Sequence, residues 1–77
     1  MALSLNVLHN LIAKAFPEAI IELNDFAGDE NHYELIITTA RFNTLSLIEQ
    51  HRLVYAAIGD FMGNELHALK INTKKDE

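Results

Sequence analysis

Cysteine is absent from all 77 residues of the chain. This absence excludes a disulfide framework and any zinc or iron–sulfur site built from the chain's own thiolates. Small secreted domains usually depend on disulfides, so we expect an intracellular, cytoplasmic protein.

No apolar run approaches the roughly 20 residues of a membrane span. The first basic residue, Lys14, follows the apolar N-terminal stretch, unlike the arrangement of a signal peptide. The sequence therefore predicts no membrane partner.

Basic residues are also scarce, since six lysines and arginines stand against eleven acids and the net charge is −5. Phosphate contacts supply much of the affinity of nucleic-acid-binding domains, so this balance disfavours such a role. The exception is a basic cluster formed by Lys70, Lys74 and Lys75. The sequence lacks a Gly-x-x-Gly nucleotide clamp. It also lacks a Gly-x-Ser-x-Gly motif, a phosphate-binding glycine loop and a nucleophilic cysteine. We therefore predict that the chain is not an enzyme.

Apolar periodicity divides the chain into two helices and three strands. Ser4 and Ser46 stand where helix N-caps are expected, and Glu49 completes a capping box with Ser46. Pro17 stops the first helix, and Gly63 is the expected left-handed residue after the second. The predicted elements are a helix over 3–16, strands over 19–25 and 33–39, a helix over 46–62, a strand over 66–72 and a frayed tail over 73–77, in a single domain over 1–77.

The order helix–strand–strand–helix–strand (αββαβ) is typical of an α+β domain. We expect the first two strands to form an antiparallel hairpin. A strand–helix–strand connection within one sheet is usually parallel and right-handed, so the second and third strands should be parallel. The sequence thus predicts a mixed three-stranded sheet with both helices packed on one face. The other face is expected to be partly wet, which suits Glu22, Glu34 and Lys70.

Two histidines come to the same end of the sheet in this topology. His32 stands just before the second strand and His67 at the start of the third. Neutral imidazoles are good ligands for transition metals, so a shared metal site is one interpretation. Alternation argues partly against it, because His67 is in phase with core residues whereas His32 is not. The alternative is a half-buried structural His67 and a solvated loop His32.

The two remaining histidines lie on predicted helices. His51 falls between Leu47 and Val54 on the apolar stripe of the second helix. A histidine there is more often packed and hydrogen-bonded than a ligand, and Tyr55, one turn on, can stack against it. We therefore predict a structural role for His51. His9 falls on the polar side of the first helix and is predicted to be a surface residue.

Three segments of the sequence resemble the BolA family. The segment 50–55 (Gln-His-Arg-Leu-Val-Tyr) is similar to the family's Arg-His-Arg-x-Val-Tyr helix signature. The segment 66–69 (Leu-His-Ala-Leu) is similar to its Ile-His-Ala-Leu strand signature, and 16–19 (Phe-Pro-Glu-Ala) to its Phe-Pro-Asp-Ala turn. The match covers nearly the whole chain in the right order. The histidine and aromatic pair at 32–33 resembles the IbaG-like subgroup of the family.

This resemblance implies the class II KH-like fold and a role as an adaptor. Such proteins pair with monothiol (Cys-Gly-Phe-Ser) glutaredoxins and share a bridging [2Fe–2S] cluster with the glutaredoxin cysteine and a glutathione thiol. The family's histidine ligand corresponds to His67, and the second ligand to His32. The resemblance also implies that the neighbouring residues are structural or face the partner, and that the chain alone is a monomer or a weak homodimer. These neighbours are His51, Arg52, Tyr55, Ala68 and Leu69.

The chain departs from the family's pattern at three places, one of which is the C-terminal tail, where Lys74 and Lys75 stand and the usual proline is absent. Its loop 28–32 (Gly-Asp-Glu-Asn-His) is more acidic than the usual one, and Gln50 replaces the usual arginine before His51. Iron–sulfur trafficking and iron or redox regulation both remain compatible with the resemblance. The alternative function is that of a DNA-binding transcriptional regulator of stress response or cell morphology, which some family members suggest.

Overall fold

The computed structural model describes residues 4–25, 28, 32–59 and 68–76. Its elements are α1 (Leu5–Ala15), β1 (Ile20–Asp25), β2 (His32–Thr39), a short 3-10 turn (Ala40–Phe42), α2 (Leu47–Ile58) and β3 (Ala68–Lys75). Among these described residues, no helix combines the length and the apolar character that crossing a membrane requires.

The strands of the described residues form one mixed three-stranded sheet in the order β1–β2–β3. β1 runs antiparallel to β2, with Ile20 opposite Thr38. β3 runs parallel to β2, with His32 opposite Ala68. The predicted α+β fold with a mixed three-stranded sheet is therefore confirmed, including the parallel pairing of the second and third strands.

Side chains alternate between the two faces of this sheet. Along β2, Tyr33, Leu35 and Ile37 are fully buried, whereas the residues between them are half-buried. α1 packs against β1 and α2 against β3, so both helices cover the face that these three residues occupy, as predicted. The buried apolar core consists of Leu8, Ile12, Phe16, Tyr33, Leu35, Ile37, Phe42, Val54 and Ile58.

Both helices begin at the serines that were predicted as N-caps. The Ser4 hydroxyl accepts a hydrogen bond from the N–H of Val7 at 3.3 Å. At the start of α2, the Ser46 hydroxyl accepts from the N–H of Glu49 at 3.2 Å, and the Glu49 carboxylate accepts from the N–H of Ser46 at 2.9 Å. The capping box is therefore confirmed.

The C-terminal ends of α2 and β3 differ from the prediction. α2 ends at Ile58 rather than at residue 62. The next residue, Gly59, has a φ of 64° and its N–H donates to the Tyr55 carbonyl, so it takes the role predicted for Gly63. Gly63 itself lies outside the described residues. β3 continues to Lys75, so the prediction of a frayed tail from residue 73 is wrong for this stretch.

One end of the sheet, which we name the connector end, is where β2 finishes at Thr39 and β3 at Lys75. The buried Thr39 hydroxyl donates to Glu18 Oε1 at 2.8 Å and accepts from the N–H of Arg41 at 3.2 Å. Arg41 Nη1 in turn donates to the carbonyl of Ala15, the last residue of α1, at 2.8 Å. These bonds connect the end of α1, and the turn before β1 that contains Glu18, to the end of β2. We call this turn the β1 turn.

Aromatic and amide contacts reinforce the connector end. The Arg41 guanidinium lies 4.7 Å from the centre of the Phe16 ring, and the Phe16 and Phe42 rings meet edge to face at 5.9 Å. Asn43 makes two bonds to the backbone of Asp76, donating to its carbonyl at 3.2 Å and accepting from its N–H at 3.1 Å. The chain is thus anchored as far as Asp76, which again contradicts the predicted frayed tail.

Candidate functional site

The opposite end of the sheet, which we name the histidine end, is where β1 finishes at Asp25 and where β2 and β3 begin at His32 and Ala68. His32 is the first residue of β2 and not a loop residue, so it follows the alternation of the strand. Because its neighbour Tyr33 is fully buried in the core, the half-buried His32 lies on the sheet face opposite the helices.

The start of β3 lies directly beside His32. Ala68 stands opposite His32 and Leu69 opposite Tyr33. Leu69 is half-buried and packs against the core. His67 precedes Ala68 in the sequence but lies outside the described residues. The parallel pairing on which a site formed by His32 and His67 depends is therefore confirmed, whereas the site itself stays a prediction.

The row of side chains next to His32 carries opposite charges. Glu34 stands opposite Lys70, and Lys70 Nζ lies 3.9 Å from Glu34 Oε2. The Lys70 side chain is 75% exposed, so solvent screens this pair and its contribution to stability is small. The two charges nevertheless offset one another within this row.

A turn closed by Asp25 begins the loop that leads from β1 to His32. Asp25 Oδ1 accepts a hydrogen bond from the N–H of Gly28 at 2.9 Å, and Gly28 has a φ of 72°. Asp29 and Glu30 lie outside the described residues. Within the described ranges, no group of three or more histidine, cysteine, aspartate or glutamate side chains is arranged to hold a metal ion. The described part of the chain therefore offers no complete metal site of its own.

The helix residues that resembled the family signature lie on α2 at different depths. His51 is half-buried, and Arg52 and Tyr55 are exposed. The predicted apolar stripe is wrong at its first position, because Leu47 is 64% exposed. His51 therefore lies at the margin of the buried face of α2 rather than within it, while Arg52 and Tyr55 present their side chains to solvent.

The buried face of α2 contains a residue that the sequence interpretation missed, Gln50. It is only 5% exposed and is followed on the same face by Val54 and Ile58. Its Nε2 donates to the carbonyls of Phe42 at 3.4 Å and Leu45 at 3.0 Å. The spacing of four residues to Val54 and again to Ile58 was the signal that could have placed Gln50 in the core.

Thr73 on β3 completes the hydrogen bonding of Gln50. The Thr73 hydroxyl donates to Gln50 Oε1 at 2.5 Å. The amide of Gln50 therefore has partners for both its oxygen and its nitrogen, as a buried polar group requires. The replacement of the family's usual arginine by glutamine accordingly places a hydrogen-bonded neutral group between α2 and β3.

A cleft of about 390 Å³ opens on the exposed side of α2. Its walls are Leu45, Glu49, Arg52 and Leu53. Arg52 is the one wall residue that belongs to the predicted site residues. Leu45 and Leu53 supply the apolar part of its wall, and Glu49 and Arg52 supply one acidic and one basic group.

Two carboxyl groups beside the connector end have pKa values below the ordinary value of a glutamic acid. For Glu49, the N–H of Ser46 lowers the pKa most, followed by the Ser46 hydroxyl and the charge of Arg52. For Glu18, its own backbone N–H lowers the pKa most, followed by the Thr39 hydroxyl and then the charge of Arg41. In both groups, hydrogen bonds favour the ionised form.

Comparison with known proteins gives consistent matches along the chain. The family model described as BolA-like protein matches residues 5–77. Protein RP812 of Rickettsia prowazekii is 42% identical over 73 residues, which are 95% of this chain and 95% of that protein. The solution structure of RP812 superposes with a TM-score of 0.75 at 40% identity, covering 100% of both chains.

A more distant relative carries a functional name. The DNA-binding transcriptional regulator BolA of Vibrio cholerae is 37% identical over 46 residues, which are 60% of this chain and 43% of that protein. The chain thus spans less than half of the length of this relative. Because the family model covers almost all of the chain, and because RP812 is 42% identical over 95% of both chains, the chain belongs to the BolA-like protein family.

Proposed function

We propose that this chain is an adaptor that binds a monothiol (Cys-Gly-Phe-Ser) glutaredoxin and helps to coordinate a bridging [2Fe–2S] cluster. The observation that carries the proposal is the parallel pairing of β2 and β3, in which His32 stands opposite Ala68. His67 directly precedes Ala68 in the sequence, and we propose it as the ligand that accompanies His32. The adaptor would serve iron–sulfur trafficking or iron and redox regulation.

The donor groups of the chain suit a shared cluster better than a cluster of its own. The chain has four histidines and no cysteine. Within its described residues, no group of three or more potential ligands is arranged around one point. Iron–sulfur clusters are held mainly by thiolates, although histidine replaces some of them in certain centres. The sulfur ligands would therefore come from the glutaredoxin cysteine and glutathione.

Each candidate ligand of this chain would contribute one neutral ring nitrogen. Strand pairing fixes the backbone at His32 and Ala68 before any partner arrives, and such preorganisation reduces the cost of binding. When bound, the cluster would supply a one-electron redox centre whose potential is raised by imidazole ligation. The chain's own residues would then act by binding and orienting, without a catalytic step.

The exposed side of α2 supplies side chains suited to a protein partner. Arg52 and Tyr55 are exposed there, and arginine and tyrosine are enriched in protein interfaces. Arg52 also carries a positive charge that matches the carboxylates of glutathione. The half-buried His51 would pack below these exposed side chains. This is the structural role that was predicted for it.

The test is to mix the purified chain with a monothiol glutaredoxin, glutathione, iron and sulfide. Gel filtration and visible circular dichroism should show a heterodimer whose spectrum differs from that of the glutaredoxin alone. His67→Ala should change this spectrum strongly, and His32→Ala should change it as well. His9→Ala, which replaces another half-buried histidine, on α1, is the matched control and should leave it unchanged. Failure to form any complex would refute the proposed function, and an unchanged spectrum for His67→Ala would refute the site.

Nucleic-acid binding by a transcriptional regulator of stress response or cell morphology is the second candidate function. One observation favours it, because Lys70, Lys74 and Lys75 are all exposed along the edge strand β3. The name of the Vibrio cholerae relative points the same way. The net charge of −5 opposes it. Binding to a DNA duplex that weakens steeply with salt, and less steeply in a Lys74→Gln/Lys75→Gln variant, would support this function. No binding at physiological ionic strength would exclude it.

A further inference from the structure

We propose that Gln50 is a positioning residue which, through Thr73, fixes the register of β3 on β2. The register decides which residue of β3 stands opposite His32, and therefore the surroundings of this candidate ligand. The consequence for cluster binding rests on the proposed function. The register itself is a property of this chain alone and can be measured without any partner.

The buried amide of Gln50 connects three separate segments. Its nitrogen donates to the carbonyls of Phe42 and Leu45, which precede α2. Its oxygen accepts from the hydroxyl of Thr73, near the end of β3. Since Gln50 is only 5% exposed, water cannot readily replace a lost partner, and an unpaired amide in this position is unfavourable. The Gln50 amide thus selects the position of Thr73 along the strand.

The apolar pattern of β3 does not select this position by itself. A slip of one residue would turn the core-facing side chains outward and is excluded by alternation. A slip of two residues would keep Leu69 and Ile71 on the core side, but opposite Leu35 and Ile37 instead of Tyr33 and Leu35. Both arrangements place two branched aliphatic side chains of β3 against large apolar partners. Burial of apolar surface therefore discriminates weakly between the two registers.

The polar contacts at the connector end discriminate strongly between the native register and the register shifted by two residues. A two-residue slip displaces Thr73 by about 6–7 Å along the strand, which breaks its bond to Gln50. The same slip removes the backbone of Asp76 from the two bonds that Asn43 makes with it. At the other end of the strand, Ala68 would move from His32 to a position opposite Glu34. Gln50 at one end of the sheet thus controls the geometry at the other.

Because the chain has no cysteine, an introduced pair of cysteines reports the register directly. Glu34→Cys with Lys70→Cys joins residues that stand opposite one another in the native register. Ile36→Cys with Lys70→Cys joins residues that are diagonal in the native register, about 8 Å apart, which is too far for a disulfide. The second pair is directly opposite after a two-residue slip. The ratio of disulfide formation in the two pairs, equilibrated in a glutathione buffer, therefore measures the register.

The ratio should favour the native pair strongly in the parent chain. Thr73→Val, which removes the hydroxyl but keeps the shape, should lower the ratio by about tenfold, as expected when a buried hydrogen bond no longer discriminates. Thr73→Ser keeps the hydroxyl and should restore the parent ratio. A Gln50→Met/Thr73→Val variant removes both partners of the bond, so it leaves no buried amide oxygen unpaired where Thr73→Val alone is too unstable to fold. This double variant should also show the lowered ratio.

One outcome would overturn the positioning role of Gln50, and another would separate that role from the proposed function. If the folded Thr73→Val and Gln50→Met/Thr73→Val variants keep the parent ratio, Gln50 does not set the register and the proposal is wrong. The visible circular dichroism of the mixed glutaredoxin complex separates the positioning role from the proposed function. A lowered disulfide ratio in variants of a chain that never forms a cluster complex would leave the positioning role standing and refute the proposed function alone.

Discussion

The two ends of the sheet differ in the kind of side chain they carry. At the connector end, Thr39, Arg41 and Asn43 bond to backbone and side-chain groups from α1, the β1 turn and the end of β3. At the histidine end, the strands meet at His32 and Ala68. The described side chains of the connector end thus link α1, the β1 turn and the end of β3, and the histidine end carries the candidate ligand.

This difference indicates a division of roles within one small sheet. Interactions at the connector end fix the strand register, and the parallel β2 and β3 transmit that register to the histidine end. Substitutions at the connector end should therefore reduce stability or shift the register. Substitution of the half-buried His32 at the histidine end should alter cluster coordination at a smaller cost in stability. The following predictions test this division, beginning with the largest expected effect.

Removing the aromatic ring of Phe42 should break the connector end most severely. Phe42 is fully buried and meets the Phe16 ring edge to face. Phe42→Ala should lower the free energy of unfolding by about 3–5 kcal/mol, a large part of the roughly 5–15 kcal/mol typical of a domain. Urea unfolding followed by far-ultraviolet circular dichroism measures this. Leu47→Ala, at a 64% exposed position, is the control and should change stability by less than about 0.5 kcal/mol. Equal effects of the two substitutions would contradict the placement of the core.

Removing the guanidinium of Arg41 should weaken the connector end to a smaller extent. Arg41 donates to the carbonyl of Ala15 and lies over the Phe16 ring. Arg41→Ala should lower the free energy of unfolding by about 1 kcal/mol, since one exposed hydrogen bond and one exposed cation–π contact are lost. Arg41→Lys keeps the charge without the planar group and should recover only part of the loss. Complete recovery by lysine would show that the charge alone matters.

The pH dependence of stability should also follow from carboxylates beside the connector end. The pKa of Glu49 is lowered in the folded chain from an ordinary value of 4.5. Its ionised form is favoured by folding, so this contribution is fully present above that value and is lost as the pH falls through the lower folded pKa. Urea unfolding of the parent and of Glu49→Gln, compared between neutral and acidic pH, measures the effect. The parent should lose more stability on acidification than Glu49→Gln, and parallel curves would contradict the capping-box geometry.

Much of the sheet could be predicted because its signals are local. The strand predicted over 33–39 agrees with β2, which runs over His32–Thr39. The strand–helix–strand order indicated the parallel pairing of β2 and β3. The capping box depends on two residues only three positions apart, so its sequence signature was sufficient.

The errors fall where the deciding partner is distant in sequence or polar. Gln50 shares the four-residue spacing of Val54 and Ile58, but it is polar, and the bonds to Thr73 and to the Leu45 carbonyl that allow its burial cannot be seen in the sequence. Leu47 was placed in the stripe instead. The tail after Asn72 looked frayed because its residues are polar, yet Asn43 holds Asp76 from 33 positions away. Two glycines follow α2 closely, and the local pattern did not identify Gly59 as the one that ends the helix. The placement of His67 lies outside the described residues.

The most direct test of the division between the two ends is to compare stability and cluster coordination in one variant, His32→Ala. His32 is half-buried on the sheet face opposite the helices, so the substitution should change the free energy of unfolding by no more than about 1 kcal/mol. The visible circular dichroism of its complex with a monothiol glutaredoxin, glutathione, iron and sulfide should nevertheless differ clearly from that of the parent complex. A parent-like spectrum together with a large loss of stability would contradict the assignment of ligation to the histidine end.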